Sequence, residues 1–559
     1  MEKLNWFQKS NFFMKNFAIK LSGPAGAGMM SAGETLSKAL NRLGFYTLMY
    51  PEYPSRIRGG DNHVLVVFSK EKHLAPVEKI DLLLAFGKEN YERHLGEIRE
   101  IREIGERKGF EAGEIGITKI AEELGNPLVA NTAGLGFIFK VLGFEHQMLE
   151  EQIKEEFSGK EEILKLNLEA ARRGYEVGEV GGVRGFGEVG GRREVVNYSG
   201  NEAMVEGILK AGCGFAAIYP MTPINSILTM LSRSKVTVFR PEDEIAGMLA
   251  ALGASYAGKR AMVATSGGGF SLMVEGLGMA GMAEIPIVCI VGQRTGPSTG
   301  MATFSSQADL NFVINAGQGE FPRIVLAPGD IGECQRLGKE AFYLAEKYQD
   351  PVILLTDKYL AESRFSEDER ELRISEEQEG QEGQVGLENY ERYRFTESGV
   401  SPRAFPGQTA FLTNSYEHDE RGFSCEEAEN RRKMMEKRGR KLVGLSGGFE
   451  PHFAKASRGK GFDFNLPMLV GWGSTKEIIL DFLKGYPDYN FLHIWRPWPF
   501  PKEAVEILKK SKKIVVIEGN YSGQMADIIE RFTFRKVKRV LRDDGRPFFK
   551  EELEDKLLR

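Results

Sequence analysis

Cysteine is scarce in this sequence. Four occur in 559 residues (Cys213, Cys289, Cys334 and Cys425), far apart, and no C-x-x-C pair exists. That spacing excludes an iron–sulfur cluster or a zinc ribbon carried by this chain. It suits a reduced, cytoplasmic setting. Long apolar runs are missing too. Stretches such as "EIPIVCIVG" fall far short of the roughly 20 residues a membrane span needs, so no membrane association is expected. The N-terminal stretch has no apolar core followed by a small-residue cleavage site, so no signal peptide is expected. Excess basic charge is also lacking. The net charge is −5 and no basic stripe stands out, which argues against nucleic acid as a partner. What is present is a globular composition, 42% hydrophobic and 27% charged, in a chain too long for one core.

Apolar strand-like segments alternate with helical ones, an α/β pattern spread over several domains. Residues 1–173 form the first, opening with "FAIKLSG", a glycine-rich turn, a helical stretch and "FYTLMY"; a mostly parallel sheet is expected. In 174–194 glycine recurs every two to four residues, which reads as a linker. Residues 195–363 hold "FAAIYP", "KRAMVATS", "IPIVCIVG", "PRIVLAP" and "PVILLTD", the apolar strands of a buried parallel sheet. Residues 364–460 are acidic, then irregular and rich in Arg, Asp, His and Tyr, suited to a long loop over a neighbouring surface before a charged helix. Residues 461–559 form a smaller α/β domain.

Three acids, Glu242, Asp243 and Glu244, precede a helix of small residues. Ile245, Met248, Leu249 and Leu252 mark its apolar face, and Ala and Gly cover most of the rest, so tight packing on several sides is expected. Acids in a first turn favour the helix's positive end; the other reading is a partly buried carboxylate holding a proton for a bound group. Thr222 lies between two prolines in "YPMTP", after a strand, where α/β proteins bind ligands. Arg294 leaves the next apolar strand in "VGQRTGPSTG", either as a surface cation or as a bidentate carboxylate clamp. "SGPAGAG" after the first strand looks like a dinucleotide turn lacking its third glycine, with Glu52 placed as a ribose acid. The loop "EYPSRIRGGDN" offers Arg56 and Arg58 to a phosphate-bearing ligand.

Together these motifs resemble the 2-oxoacid:ferredoxin oxidoreductases. "IYPMTPI", "EDEIAGMLAALGASYAGKRAMVATSGGGF", "VGQRTGPSTGMAT" and "SSQADLNFVINAGQGEFPRIVLAPGD" are similar to their α subunit. "GPAGAG" and "EYPSRIRGGDNH" are similar to their γ subunit, fused ahead of α, and "GWGSTKE", "RPWPFP" and "EGNYSGQ" look like the rest of the fused form. The resemblance covers nearly the whole chain. It implies a γ-type α/β domain, a doubly wound domain of the thiamine-diphosphate pyrimidine-binding type, and a transketolase C-terminal-like domain. It implies oxidative decarboxylation of a 2-oxoacid with coenzyme A as co-substrate, electrons passing to ferredoxin. Thiamine diphosphate would be shared with a β subunit that carries Mg2+ and the iron–sulfur cluster, in an α2β2 assembly. This chain has neither a Gly-Asp-Gly followed by the Asn pair for diphosphate and Mg2+ nor a cysteine cluster, as that division of labour requires.

Residue by residue, the resemblance makes Glu244 the carboxylate at the aminopyrimidine ring nitrogen, with Glu242 the lesser alternative. It makes Thr222 and Arg294 the contacts of the substrate carboxylate. Tyr219 and Pro220 fall at the cofactor, and Arg58, Gly59 and Gly60 at coenzyme A. The sequence departs from the pattern in its glycine-poorer first turn, in Gln318 where a histidine is common, and in "MAT" after Gly-Pro-Ser-Thr-Gly. These departures bear on the substrate, for which the γ–α fusion leans towards 2-oxoglutarate. Two other readings stand: a nicotinamide-dependent dehydrogenase using "GPAGAG", and a non-catalytic assembly subunit.

Overall fold

The computed structural model describes residues 16–54, 60–99, 109–179, 195–370, 372, 389–445, 452–454 and 463–559. These fall into two compact units. One gathers the described parts of 1–198, 363–371 and 549–551; the other gathers those of 199–362, 372–548 and 552–559.

In the first unit, β1 (Phe17–Gly23), β2 (Tyr46–Glu52), β3 (Asn62–Ser69), β4 (Leu82–Ala85), β5 (Gly109–Glu111), β6 (Val195–Ser199) and β13 (Arg364–Asp368) form one sheet in the order β5-β4-β1-β3-β2-β13-β6. β1 runs parallel to β4, but β3 runs antiparallel to both β1 and β2. The sheet is therefore mixed, not mostly parallel. The reason is length: residues 53–61 between β2 and β3 are too few for the crossover that parallel neighbours need. Ile19, Leu21, Leu36, Leu40, Val64, Val66 and Phe139 make its core. Two helices, Ala130–Leu142 and Glu161–Val177, meet at glycines. A Cβ on Gly174 would lie 1.9 Å from the Ala133 carbonyl oxygen, so only glycine lets the backbones touch. Gly174 is thus a buried helical residue where a linker was expected to begin; 180–194 lie outside the described residues.

The second unit carries two sheets. β7 (Phe215–Ala217), β8 (Thr237–Phe239), β9 (Ala261–Ser266), β10 (Ile287–Gln293), β11 (Ile324–Leu326) and β12 (Pro351–Asp357) pair in parallel in the order β11-β12-β10-β9-β7-β8. Strands β9, β10 and β12 are buried along their whole length, which is why they read as apolar runs up to their polar carboxyl ends. β14 (His452–Ala454), β15 (Met468–Gly471), β16 (Asn490–His493), β17 (Ile514–Glu518) and β18 (Lys538–Leu541) make the second sheet, parallel except for β14 against β16. The segment after residue 389 does lie over the first of these sheets' helices. Arg392 donates to the Glu284 carbonyl at 2.7 Å and Arg403 to the Ser255 carbonyl at 2.7 Å. The helix Ala428–Leu445 then docks through two fully buried lysines. Lys437 reaches Glu284 at 2.6 Å and Lys441 reaches it at 2.8 Å.

The helix Glu244–Tyr256 departs from expectation. Its buried face is Glu244, Gly247, Met248, Ala251, Leu252 and Ser255, while Ile245 and Leu249 are 45% and 43% exposed. Gly253 beside them has nothing within 4 Å of a built Cβ. The helix packs mainly on one side: among the described residues, its second apolar stripe is left largely uncovered, touched only at its edge by Gly276. Among the described residues, no helix is long and apolar enough to cross a membrane.

Candidate active site

The parallel strands β7, β9 and β10 end at one edge of their sheet, the edge where such sheets bind ligands. β7 leads into Tyr219–Pro223, β9 into Gly267–Gly269 and β10 into Arg294. Gly292, on β10, leaves room for the first of these turns: a Cβ there would lie 2.8 Å from the Pro223 ring. The Thr222–Pro223 peptide is cis.

The three acids divide their work. Asp243 is the N-cap, and its carboxylate accepts from the Ala246 N–H at 2.8 Å. Glu242 is exposed. Glu244 is 4% exposed, and its Oε1 has no hydrogen-bond partner among the described residues. The carboxyl group lies against Gly269. A Cβ on that glycine would come within 2.6 Å of Glu244 Oε1 and 2.1 Å of Thr265 Oγ1, so only glycine admits the acid here. A buried, half-satisfied carboxylate is costly to keep and is normally explained by a ligand or a functional demand.

Arg294 donates through Nη1 to the Thr222 carbonyl oxygen at 3.2 Å. Among the described residues no acid pairs with it, and burial alone pushes its pKa down. The Thr222 hydroxyl, like the rest of that guanidinium, is left to serve something else. Met221 joins this corner to Glu244: Thr265 Oγ1, which abuts Gly269, lies 3.9 Å from its sulfur. Glu244, Thr222 and Arg294 therefore belong to one strand-end cluster. Tyr219 and Pro220 are exposed beside it. Gly60 is exposed at φ 81° in the other unit, while Arg58 and Gly59 lie outside the described residues.

Sequence reasoning missed two members of the cluster. Gly269 was legible only as part of a glycine triplet after a strand. Asp309 stands in "SSQADL", with no pattern to mark it. Its carboxylate packs on the turn after β9: a Cβ on Gly267 would lie 2.2 Å from Asp309 Oδ2. Burial raises its pKa to about 6. Because the folded-state pKa lies above the ordinary one, this acid's contribution to stability is full below about pH 4 and is lost as pH rises through about 6. Allowing for partial solvent exposure, Asp309→Asn should gain about 1–2 kcal/mol over the wild type at pH 8, shrinking towards nothing at pH 4. Thermal melts at the two pH values check this; a difference that does not change with pH would show that the carboxylate is already compensated.

The nicotinamide reading meets an obstacle in the first unit. A dinucleotide fold pairs its first two strands in parallel around the glycine turn. Here β3 separates β1 from β2, and Glu52 sits 3.9 Å from His63 Nε2.

An all-parallel sheet whose carboxyl edge carries, among the described residues, a buried acid with an unpartnered oxygen and a guanidinium without an acid partner defines the class of α/β proteins. The thiamine-diphosphate-binding family model of pyruvate flavodoxin/ferredoxin oxidoreductases matches residues 206–437. A second model, of pyruvate ferredoxin/flavodoxin oxidoreductases, matches residues 18–177. The 2-oxoacid:ferredoxin oxidoreductase α subunit of a Sulfolobus species is 32% identical, over 96% of this chain and 96% of its own. The corresponding subunit of enzyme 1 of Sulfurisphaera tokodaii is also 32% identical, over 96% and 97%. Among solved structures, the 2-oxoglutarate:ferredoxin oxidoreductase of Magnetococcus marinus superposes with a TM-score of 0.87 at 29% identity, over 97% of this chain and 99% of that one. The chain belongs to the α subunits of the 2-oxoacid:ferredoxin oxidoreductases.

Proposed function

We propose that this chain, with a β subunit, carries out the thiamine-diphosphate-dependent oxidative decarboxylation of a 2-oxoacid with coenzyme A, giving acyl-CoA, CO2 and reduced ferredoxin. The observation that carries the reading is Glu244: a buried carboxylate, at a strand-end helix start, with an oxygen that nothing in the described chain satisfies. Thiamine diphosphate, when bound, supplies the carbon nucleophile that attacks the substrate ketone. Glu244 is the residue that would hold a proton at its aminopyrimidine ring nitrogen, the position that needs a buried acid with one oxygen free. Glycine at 269 makes room for that acid, since a side chain there would collide with it. Arg294 binds the carboxylate common to all 2-oxoacids through its unused N–H groups. The Thr222 hydroxyl adds a neutral hydrogen bond, and Tyr219 and Pro220 border the same edge.

The diphosphate, Mg2+ and the iron–sulfur cluster fall to the β subunit, in an α2β2 assembly. The exposed stripe of Ile245 and Leu249, adjoined by the helix Val274–Met282 at Gly276, is where that subunit would pack. Coenzyme A is assigned to the loop of Arg58, Gly59 and Gly60. Among substrates we favour 2-oxoglutarate, since the Magnetococcus enzyme was solved with 2-oxoglutarate, coenzyme A and succinyl-CoA bound.

The test uses the assembled enzyme. Arg294→Lys keeps the charge but loses the planar fork. It should lower kcat/KM for the 2-oxoacid by about ten- to a hundredfold, the worth of a hydrogen bond to a charged group, and Thr222→Val should lose less. Exchange of the thiazolium proton, which needs no substrate, should persist in both. Loss of exchange in Arg294→Lys would mean that the residue organises the cofactor or the fold instead of the substrate.

A further inference from the structure

In the first unit, three potential metal ligands converge. Asp61 and His63 stand at the start of β3, and His94 closes the helix Lys88–His94. Asp61, His63 and His94 can each offer one atom such that all three lie within 4.8 Å of one another. Two edges of that triangle are shorter. Asp61 Oδ2 is 2.8 Å from His94 Nε2 and 3.1 Å from His63 Nδ1. Ligand atoms bound at about 2.0–2.1 Å in a tetrahedral or octahedral shell lie roughly 2.9–3.4 Å apart, so both edges already have the length of a coordination shell.

The surroundings fit the same picture. The ring nitrogens that would not ligate both face acids: His94 Nδ1 is 2.7 Å from Glu97 Oε1, and His63 Nε2 is 3.9 Å from Glu52 Oε1. Carboxylates behind ligating histidines fix the tautomer and raise ligand basicity. The second oxygen of Asp61 accepts from Ser22 Oγ at 2.6 Å, which holds the carboxylate in place. The three side chains are 8%, 11% and 4% exposed. Charge also fits. Among the described residues, Asp61, Glu52 and Glu97 are three carboxylates beside one lysine, Lys20, which is itself paired with Glu97. Two positive charges bring the set to neutrality.

From this juxtaposition we propose that Asp61, His63 and His94 bind a divalent transition-metal ion of the Zn2+ type. Two imidazoles and one carboxylate select such an ion over Mg2+ or Ca2+, which take oxygen ligands. The three ligands leave at least one position open for water or an anionic ligand. The site is built by tertiary structure: Asp61, just before β3, and His63, on it, lie 33 and 31 residues before the third ligand.

The test takes the untagged full-length chain, stripped with chelator and titrated calorimetrically with Zn2+. One ion per chain is expected. His63→Gln with His94→Gln should abolish that binding, and Glu97→Gln, which contacts only the non-ligating nitrogen of His94, should weaken it by about 10–100-fold. No binding to the wild type, binding unchanged in the double variant, or Mg2+ bound as tightly as Zn2+ would each overturn the site. The first of these outcomes would leave the cluster as a proton-linked acid–histidine ladder. Circular dichroism shows whether the variants fold. If they do not, pulsed paramagnetic resonance on the Cu2+-loaded wild type decides: couplings from the remote nitrogens of two imidazoles uphold the assignment, and their absence removes it.

Discussion

Glu244→Gln is expected to leave the assembled enzyme folded and nearly inactive. The substitution preserves volume, so Gly269 and Thr265 still fit around the side chain. The capping of its helix also survives, since Asp243, not Glu244, receives the Ala246 N–H. What changes is the proton chemistry of a buried oxygen that the described chain leaves unpartnered. An amide cannot stabilise a protonated ring nitrogen by charge. Groups that work by general acid–base chemistry typically contribute about 10²–10⁴-fold, and a loss of that size in turnover is predicted. The exchange of the thiazolium proton should fall in parallel. Activity within a few-fold of wild type, in a variant of unchanged melting point and subunit composition, would show that the acid is structural. Glu242→Gln is the control: that residue is exposed and should have little effect.

The second large effect concerns stability. Glu284 is wholly buried at φ 53° and sits between Lys437 and Lys441, one helical turn apart. Lys441 also reaches Asp350 at 3.5 Å. Burial pushes the Lys437 pKa down to about 8 and the Asp350 pKa up to about 8, while the flanking cations, outweighing its burial, hold Glu284 well below the usual carboxylate range. Glu284 is thus the one firmly ionised acid of the group. Glu284→Gln leaves two buried ammoniums facing a single, easily protonated partner. Removing one side of a buried ion pair costs about 3–5 kcal/mol, which for a unit of this size lowers the melting point by roughly 4–7 °C. Replacing Glu284, Lys437 and Lys441 together by methionine should restore most of the loss, because a matched apolar set carries no stranded charge. Calorimetry of the three proteins checks both steps. A loss below about 1 kcal/mol in Glu284→Gln would mean that water reaches the lysines.

Much of this molecule was legible before any coordinates. The strands "KRAMVATS", "IPIVCIVG" and "PVILLTD" are buried on both faces, and a run of four to six apolar or glycine residues is the direct consequence. The turns that follow them had to hold the ligand-facing groups, because in a parallel sheet all carboxyl ends lie at one edge. Thr222 and Arg294 were singled out in that way; Glu244 was singled out as an acid at the start of a small-residue helix, and preferred over Glu242 only through the resemblance.

Other features depend on which distant segments meet, and local pattern is blind to that. β3 inserts antiparallel between β1 and β2 because the connection is short, and this removes the dinucleotide geometry that the glycine turn suggested. Asp309 acquires its raised pKa only by packing on a turn that begins 42 residues earlier. Lys437 and Lys441 look like surface charge on a helix of high polarity, yet Glu284 draws both inside. By itself the sequence determined the α/β class and the parallel sheet of the second unit, and marked Thr222 and Arg294 at strand ends, since each follows from local periodicity and the direction of a strand. The tertiary structure alone decided which acid is left without a partner, which charges are buried and which histidines converge, because desolvation and pairing are properties of neighbours in space.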